Sequence, residues 1–421
     1  MMPRDNNNQT RTSSHSRTRR RFLAGVGATG VVALAGCSGD GGDGGSDGGD
    51  GGSTGGDGGS GSIELSYRTL FGGGDGEIMA AMVDDFNENQ PIDGVTINRQ
   101  RTPWDEHYNQ LFTSMSGGNP PDLAISHASF IRRFQENLVD LTDYISDDNY
   151  NQAIWDAVTV EGSQWAVPMD SHPVGLYYNQ DILDEAGVEG PFTSFSEFEE
   201  ACNAIMENTD AMPFSPDPYW GGGGGFRQWF MGLQQYGGSM FNDDNSEVTF
   251  DETGGLESLE FMASVPGERG WDTADTSEDR VTQAFASGDI AMTVNGTWYV
   301  TVMSDVDFNW GFSKPHVFPD ADQLATTADS HTLIVPAGAD RSDERIQKAV
   351  QTAEYLTQEY PRWGAEAGHL PAYNPILEGD ALRESPYWDK TLSKYMEMAN
   401  DDQLAYWPQL SGTDLYAGSN W

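Results

Sequence analysis

Ile63-Glu64-Leu65-Ser66-Tyr67, followed by Glu77-Ile78-Met79-Ala80-Ala81-Met82-Val83-Asp84-Asp85-Phe86 and then Val95-Thr96-Ile97-Asn98, sets the architecture at the start of the folded body. The first stretch alternates apolar and polar residues, the period of a half-buried strand. The second puts Ile78, Met82, Val83 and Phe86 on one helical stripe, and the third reads as another strand. Trp104–Met115 reads as a helix, and Pro121-Asp122-Leu123-Ala124-Ile125 as the start of a further strand. Continued alternation of strand and helix is the pattern of α/β layers around mostly parallel sheets. The glycine-rich turn Gly72–Gly76 is no dinucleotide fingerprint, because Glu77 stands where the third glycine is required.

The same pattern runs on. Ser194 and Glu197 have capping-box spacing ahead of a helix at Phe198–Met206. Ile290–Val294 and Leu333–Val335 read as short buried strands, and Ile346, Ala349, Val350, Ala353 and Leu356 mark an amphipathic helix. No Pro/Ser-rich linker interrupts residues 63–421. Two lobes would therefore be joined by short crossovers rather than by a linker.

The chain has 421 residues, room for two or three domains. Its 37% hydrophobic and 11% aromatic content is enough for large cores. Acidic residues number 66 against 22 basic ones, a formal net charge of −44. That balance excludes nucleic acid and anionic membrane surfaces as partners, since both reward Lys and Arg. Lysine is confined to positions 314, 348, 390 and 394. Such an acidic, lysine-poor chain resembles proteins of salt-loving archaea. At molar salt the Debye length shrinks to about 3 Å, so dense like charge stops repelling.

Residues 1–36 read as a targeting segment, to be left out of fold reasoning. Thr18-Arg19-Arg20-Arg21-Phe22-Leu23 looks like a twin-arginine export motif. The apolar stretch Leu23–Ala35 is diluted by Gly25, Gly27 and Gly30 and is too short to span a bilayer, which takes about 20 apolar residues. Leu34-Ala35-Gly36-Cys37 resembles a lipobox, which makes Cys37 the expected lipidated first residue of the mature chain. Residues 37–62 comprise that cysteine and a Gly/Asp/Ser tether without an apolar side chain, with a reach of about 25–30 Å. Cys202, in a helical pattern, is expected to be a buried thiol.

Five segments, in order, carry a family resemblance. They are Gly117-Gly118-Asn119-Pro120-Pro121-Asp122-Leu123; Gly162-Ser163-Gln164-Trp165-Ala166-Val167-Pro168 with Leu176-Tyr177-Tyr178-Asn179-Gln180-Asp181; Phe192-Thr193-Ser194-Phe195-Ser196-Glu197-Phe198; Phe285-Ala286-Ser287-Gly288-Asp289-Ile290-Ala291-Met292 with Asn295-Gly296-Thr297-Trp298; and Gly368-His369-Leu370-Pro371. Together they resemble the family 1 extracellular solute-binding proteins, the sugar-capturing components of ABC importers. The resemblance implies a two-lobe, periplasmic-binding-protein-like α/β fold with hinge crossovers between two mostly parallel sheets. Residues 63–170 and 331–380 would form lobe 1, and 171–330 and 381–421 lobe 2. Family members continue with one or two more helices past the segment resembling Trp407-Pro408-Gln409-Leu410, a departure that leaves the C-terminal part of lobe 2 open or points to a shortened chain.

Sugar sites pair aromatic platforms with carboxylate, amide and imidazole groups. The family motif makes Trp298 the expected stacking platform, with Asn295 beside it as a hydrogen-bonding group. Trp220 lies in a loop before a five-glycine run, without a core pattern, and Trp104 opens a helix at the expected cleft rim. Asp170 and His172 fall in one crossover and His331 in the return crossover. Ser126 and His127 end a strand at its carboxyl side, where open α/β sheets bind ligands. No HExxH, GxSxG or GxxxxGK[ST] occurs, and the seven histidines have no zinc-like spacing, so no catalytic residue, metal or cofactor is assigned. The predicted cleft loops hold no Arg/Lys cluster, which argues against a phosphorylated ligand.

The expectation is a monomeric, non-enzymatic binding protein on the outer face of the cell membrane. It would touch the membrane only through its lipid anchor and deliver a sugar to an ABC permease. The alternatives are a cell-surface carbohydrate-active hydrolase, a receptor for a polyol or glycerol phosphate, and a structural surface protein.

Overall fold

Strand Ile63–Thr69 turns Leu65, Tyr67 and Thr69 inward, as its alternation requires. The computed structural model describes residues 62–216, 224–242, 246–273, 278–338 and 341–408. Helix Gly73–Asn89 packs back over the strand through Met79, Met82, Val83 and Phe86, and ends where Gln90 turns left-handed and donates its N–H to the Phe86 carbonyl. The expected turn Gly72–Gly76 is thus mostly the first turn of this helix. Glycine is needed there for close approach. A Cβ on Gly76 would stand 2.8 Å from the Phe71 carbonyl oxygen, and one on Gly74 2.6 Å from Thr301 Cβ.

The first sheet runs Val95–Arg101, Ile63–Thr69, Leu123–His127, His331–Ile334, Val167–Pro168. Its central strand Leu123–His127 is buried along its whole length, as expected of a strand covered on both faces. Leu123 and Ile125 join the cluster under helices Gly73–Asn89 and Asp343–Gln358, while Ala124 joins Tyr108 and Leu111 of helix Trp104–Ser116 on the other face. Each fully buried Leu or Phe contributes about 1.5–3 kcal/mol through lost water contact.

The second sheet runs Trp310–Ser313, Val174–Asn179, Ile290–Gly296, Met212–Ser215. Helices Phe195–Asn208 and Gly255–Ser264 cover one face with Phe198, Cys202, Ile205 and Phe261. The segment carrying Leu382, Leu392, Tyr395 and Met398 covers the other, against Tyr177 and Phe312. Ser194 caps helix Phe195–Asn208 by accepting the Glu197 N–H, but the Glu197 carboxylate reaches Thr193 rather than closing a box with Ser194. Cys202 is fully buried, and burial pushes its thiol pKa well up.

The two-lobe α/β fold agrees with the resemblance, though strand directions are more mixed than alternation implies. Val174–Asn179 runs antiparallel to both its neighbours, and so does His331–Ile334. Both directly follow a crossover, so each enters its sheet from the opposite lobe. A third segment, Leu370–Pro371, pairs antiparallel with Asp170–Ser171, and backbone bonds His172 N→Asp329 O and Met169 N→His331 O tie the three crossing segments side by side.

Candidate functional site

A cavity of about 930 Å³ opens between the lobes, over the crossing segments. The first lobe supplies Phe71, Asp75, Arg101, Trp104 and His127 to its wall. The second supplies Arg227, Trp298, Thr301 and Phe308, and the crossovers His172, Asp329 and His331. Trp407, just beyond strand Leu404–Tyr406, joins them.

Beneath the floor lies Asp170, wholly buried. Its Oδ1 accepts the His331 backbone N–H at 2.9 Å and faces His172 Nδ1 at 3.0 Å. Its Oδ2 lies 2.8 Å from His331 Nδ1 and accepts Trp363 Nε1–H at 2.6 Å. Burial alone would raise this carboxyl, but the nearby His331 and His369 and the bonds from His172 and His331 hold it well below the usual range. His369 sits between the lobes, with Nε2 3.1 Å from Asp75 Oδ2 and Nδ1 2.7 Å from Thr297 Oγ1. Burial pulls its pKa down, yet Asp75 and Asp170 outweigh that and hold it above the ordinary value. Asp75 Oδ1 is buried without a hydrogen-bond partner among the described residues.

On the floor itself the rings of His172 and His331 stack at 4.1 Å, and His127 stands edge-on to His172 at 5.0 Å. Burial, with the nearby His331, lowers His172 to about 3 and pushes His127 well below its usual value, so both are neutral imidazoles at neutral pH. Asp329 accepts bonds from Ser129 Oγ at 2.6 Å and Ser330 N at 2.8 Å, while burial raises its carboxyl to about 6. Trp104 flanks this group at 5.2 Å from His127, and Trp298 flanks it at 5.9 Å from His172.

Of the residues singled out from sequence, Trp104, His127, His172, Trp298 and His331 line the cavity. Asp170 lies behind it as their support. Ser126 and Asn295 are buried in strands and do not line it: Ser126 Oγ donates to the His127 carbonyl, and Asn295 Oδ1 accepts the Gly296 N–H. Trp220 and Cys37 lie outside the described residues. The Arg227 guanidinium lies 5.4 Å from the Trp298 ring centroid, so part of that ring is already covered by a cation. Two arginines, Arg101 and Arg227, line the cavity although the loops suggested no cationic cluster, but Asp75, Asp305, Asp307 and Asp329 line it too.

Asp75, Asp329 and His369 were missed. Asp75 stands in the dismissed glycine-rich segment, Asp329 two residues before His331, and His369 inside the quoted Gly368-His369-Leu370-Pro371 turn. His369 was therefore within reach of a quoted motif, and Asp329 of the return crossover that His331 marks.

A family model described as bacterial extracellular solute-binding protein matches residues 73–359. The chain belongs to that family. This solute-binding protein is 26% identical over 211 residues to an arabinooligosaccharide-binding protein of Halalkalibacterium halodurans, covering 48% of this chain and 45% of the relative. It is 29% identical over 183 residues to a lactose-binding protein of Rhizobium radiobacter, covering 42% of each. The match thus spans under half the length of these curated relatives. In fold it resembles the cyclic α-maltosyl-1,6-maltose binding protein of Arthrobacter globiformis, with TM-score 0.68 at 24% identity over 83% of this chain and 90% of that one.

Proposed function

We propose that this solute-binding protein is the non-enzymatic, sugar-capturing receptor of an ABC importer. The supporting observation is the inter-lobe cavity, in which Trp104 and Trp298 flank imidazole and carboxylate groups. Aromatic faces suit the C–H faces of a sugar, and the polar floor suits its hydroxyls. A ligand touching both lobes binds the closed form better, and that difference in affinity drives closure and presentation to a permease. Export through the twin-arginine signal, lipid on Cys37 and the tether 38–62 would hold the body outside the membrane, in a high-salt medium. The relatives named for arabinooligosaccharides and lactose support a sugar as ligand.

A thermal-shift panel of mono- and oligosaccharides at high salt, followed by calorimetry, tests this. A saturable rise in melting temperature with one class of sugar is the expected result. No shift with any sugar, but one with phosphorylated or peptidic compounds, overturns it. For the anchor, Cys37→Ser should release the protein into the medium.

A further inference from the structure

We propose that His127, His172 and Asp329 form a site for a divalent transition-metal ion of the zinc type at the cleft floor. One donor atom from each lies within 4.8 Å of the other two. The three residues come from the end of strand Leu123–His127, the first crossover and the return crossover. All three line the inter-lobe cavity and are almost wholly buried.

The chemistry of the donor set points to the metal. Two imidazoles and one carboxylate suit zinc and its neighbours rather than calcium or magnesium, which prefer all-oxygen shells. Three protein ligands leave a fourth position open, as in zinc sites that exchange a water or a ligand oxygen. The cavity that the three residues line, flanked by Trp104 and Trp298, would give a water or ligand oxygen access to that position. Zinc–nitrogen bonds of about 2.0–2.1 Å place donors about 3.4 Å apart, so the three draw together on binding.

The supports around the site are those a metal centre uses. Ligating histidines have their other ring nitrogen held by a carboxylate or a similar group. Here Asp170 Oδ1 holds His172 Nδ1 at 3.0 Å, and the Tyr108 hydroxyl contacts His127 Nδ1. Ser129 and Ser330 fix the Asp329 carboxylate. A second cluster, Asp170, His172, His331 and His369, is close enough to bind an ion as well. Its central carboxylate, however, is already occupied by four hydrogen-bond contacts and serves better as outer support.

The test uses full-length mature protein stripped with chelator and titrated with cobalt(II) without sugar, read by visible absorption, then with zinc in competition. One ion per chain is expected, with dissociation in the micromolar range or tighter. His127→Gln and Asp329→Asn should each weaken it at least about 100-fold, and Tyr108→Phe about 10-fold. His316→Gln, outside the cluster, should leave it unchanged. No saturable uptake by the wild-type protein, or stoichiometric uptake that survives both ligand replacements, overturns the proposal. If those variants do not fold, X-ray absorption of the zinc-loaded wild type decides: two imidazoles around the metal sustain it, and an all-oxygen shell overturns it. Sugar titration with chelator present tests the receptor reading separately, so either can fail alone.

Discussion

Asp170 Oδ2 accepts the indole N–H of Trp363 at 2.6 Å while lying 2.8 Å from His331 Nδ1, so one carboxylate oxygen joins two distant parts of the chain. With Oδ1 on His331 N and His172, this side chain ties both main crossovers to the packing of Trp363.

Asp170→Asn keeps the shape but replaces one acceptor by an amide donor facing donors. We expect a loss of about 1–3 kcal/mol from buried groups left unpaired. It should appear as a lower urea midpoint with an unchanged m-value. An unchanged midpoint would refute the role given to this carboxylate.

Trp298→Ala should weaken sugar binding by about 1–3 kcal/mol through loss of an aromatic contact. Gly296→Ala tests the same ring from beneath, since a Cβ there would stand 2.0 Å from Trp298 Cζ3. Calorimetry should show both variants weakened while their circular dichroism matches wild type. Unaltered affinity in Trp298→Ala removes this tryptophan from the site.

Asp122 gives the pH prediction. Its carboxylate accepts Arg345 Nε–H at 2.6 Å and Nη2–H at 2.7 Å, and the Ser66 N–H at 2.8 Å. Burial pushes its pKa up, but these bonds and the charge of Arg341 outweigh that, and the folded value is depressed. A depressed folded pKa means stability that is fully present above the unfolded value of about 3.9 and is lost as pH falls through the lower folded value. Denaturation curves from neutral pH into this acid range should show that loss, and Asp122→Asn should be less stable at neutral pH with a flatter acid slope. Parallel pH profiles for the two proteins would contradict it.

Salt should matter more than pH near neutrality. With a net charge of −44, repulsion between carboxylates grows as the Debye length lengthens in dilute salt. The melting temperature should fall steadily as sodium chloride is diluted from molar to millimolar. A flat profile would show that the acidic surface does not govern stability.

Much of the first lobe was legible because its strands and helices are long enough to show a period. Leu65 and Tyr67 alternate, and Met82, Val83 and Phe86 repeat on a stripe. Asp170–Ser171 and Leu370–Pro371 were not legible, since strands of 2 residues carry no period and these pair residues 199 and 201 positions apart. At the site, Ser126 and His127 could not both face the cavity, because successive strand residues point to opposite faces. Asn295, inside a fully buried strand, was read from a motif that fixes its neighbour Trp298 better than itself. Asp75 and His369 meet across 294 positions, which no local pattern announces.

Strand Leu404–Tyr406 pairs with Thr326–Ala328, and Trp407 closes part of the cavity wall. The protein therefore has no finished pocket until residue 407 has been synthesised: a nascent chain ending before Trp407 presents an incomplete wall. Ligand capture thus reports that the chain has been made at least as far as residue 407.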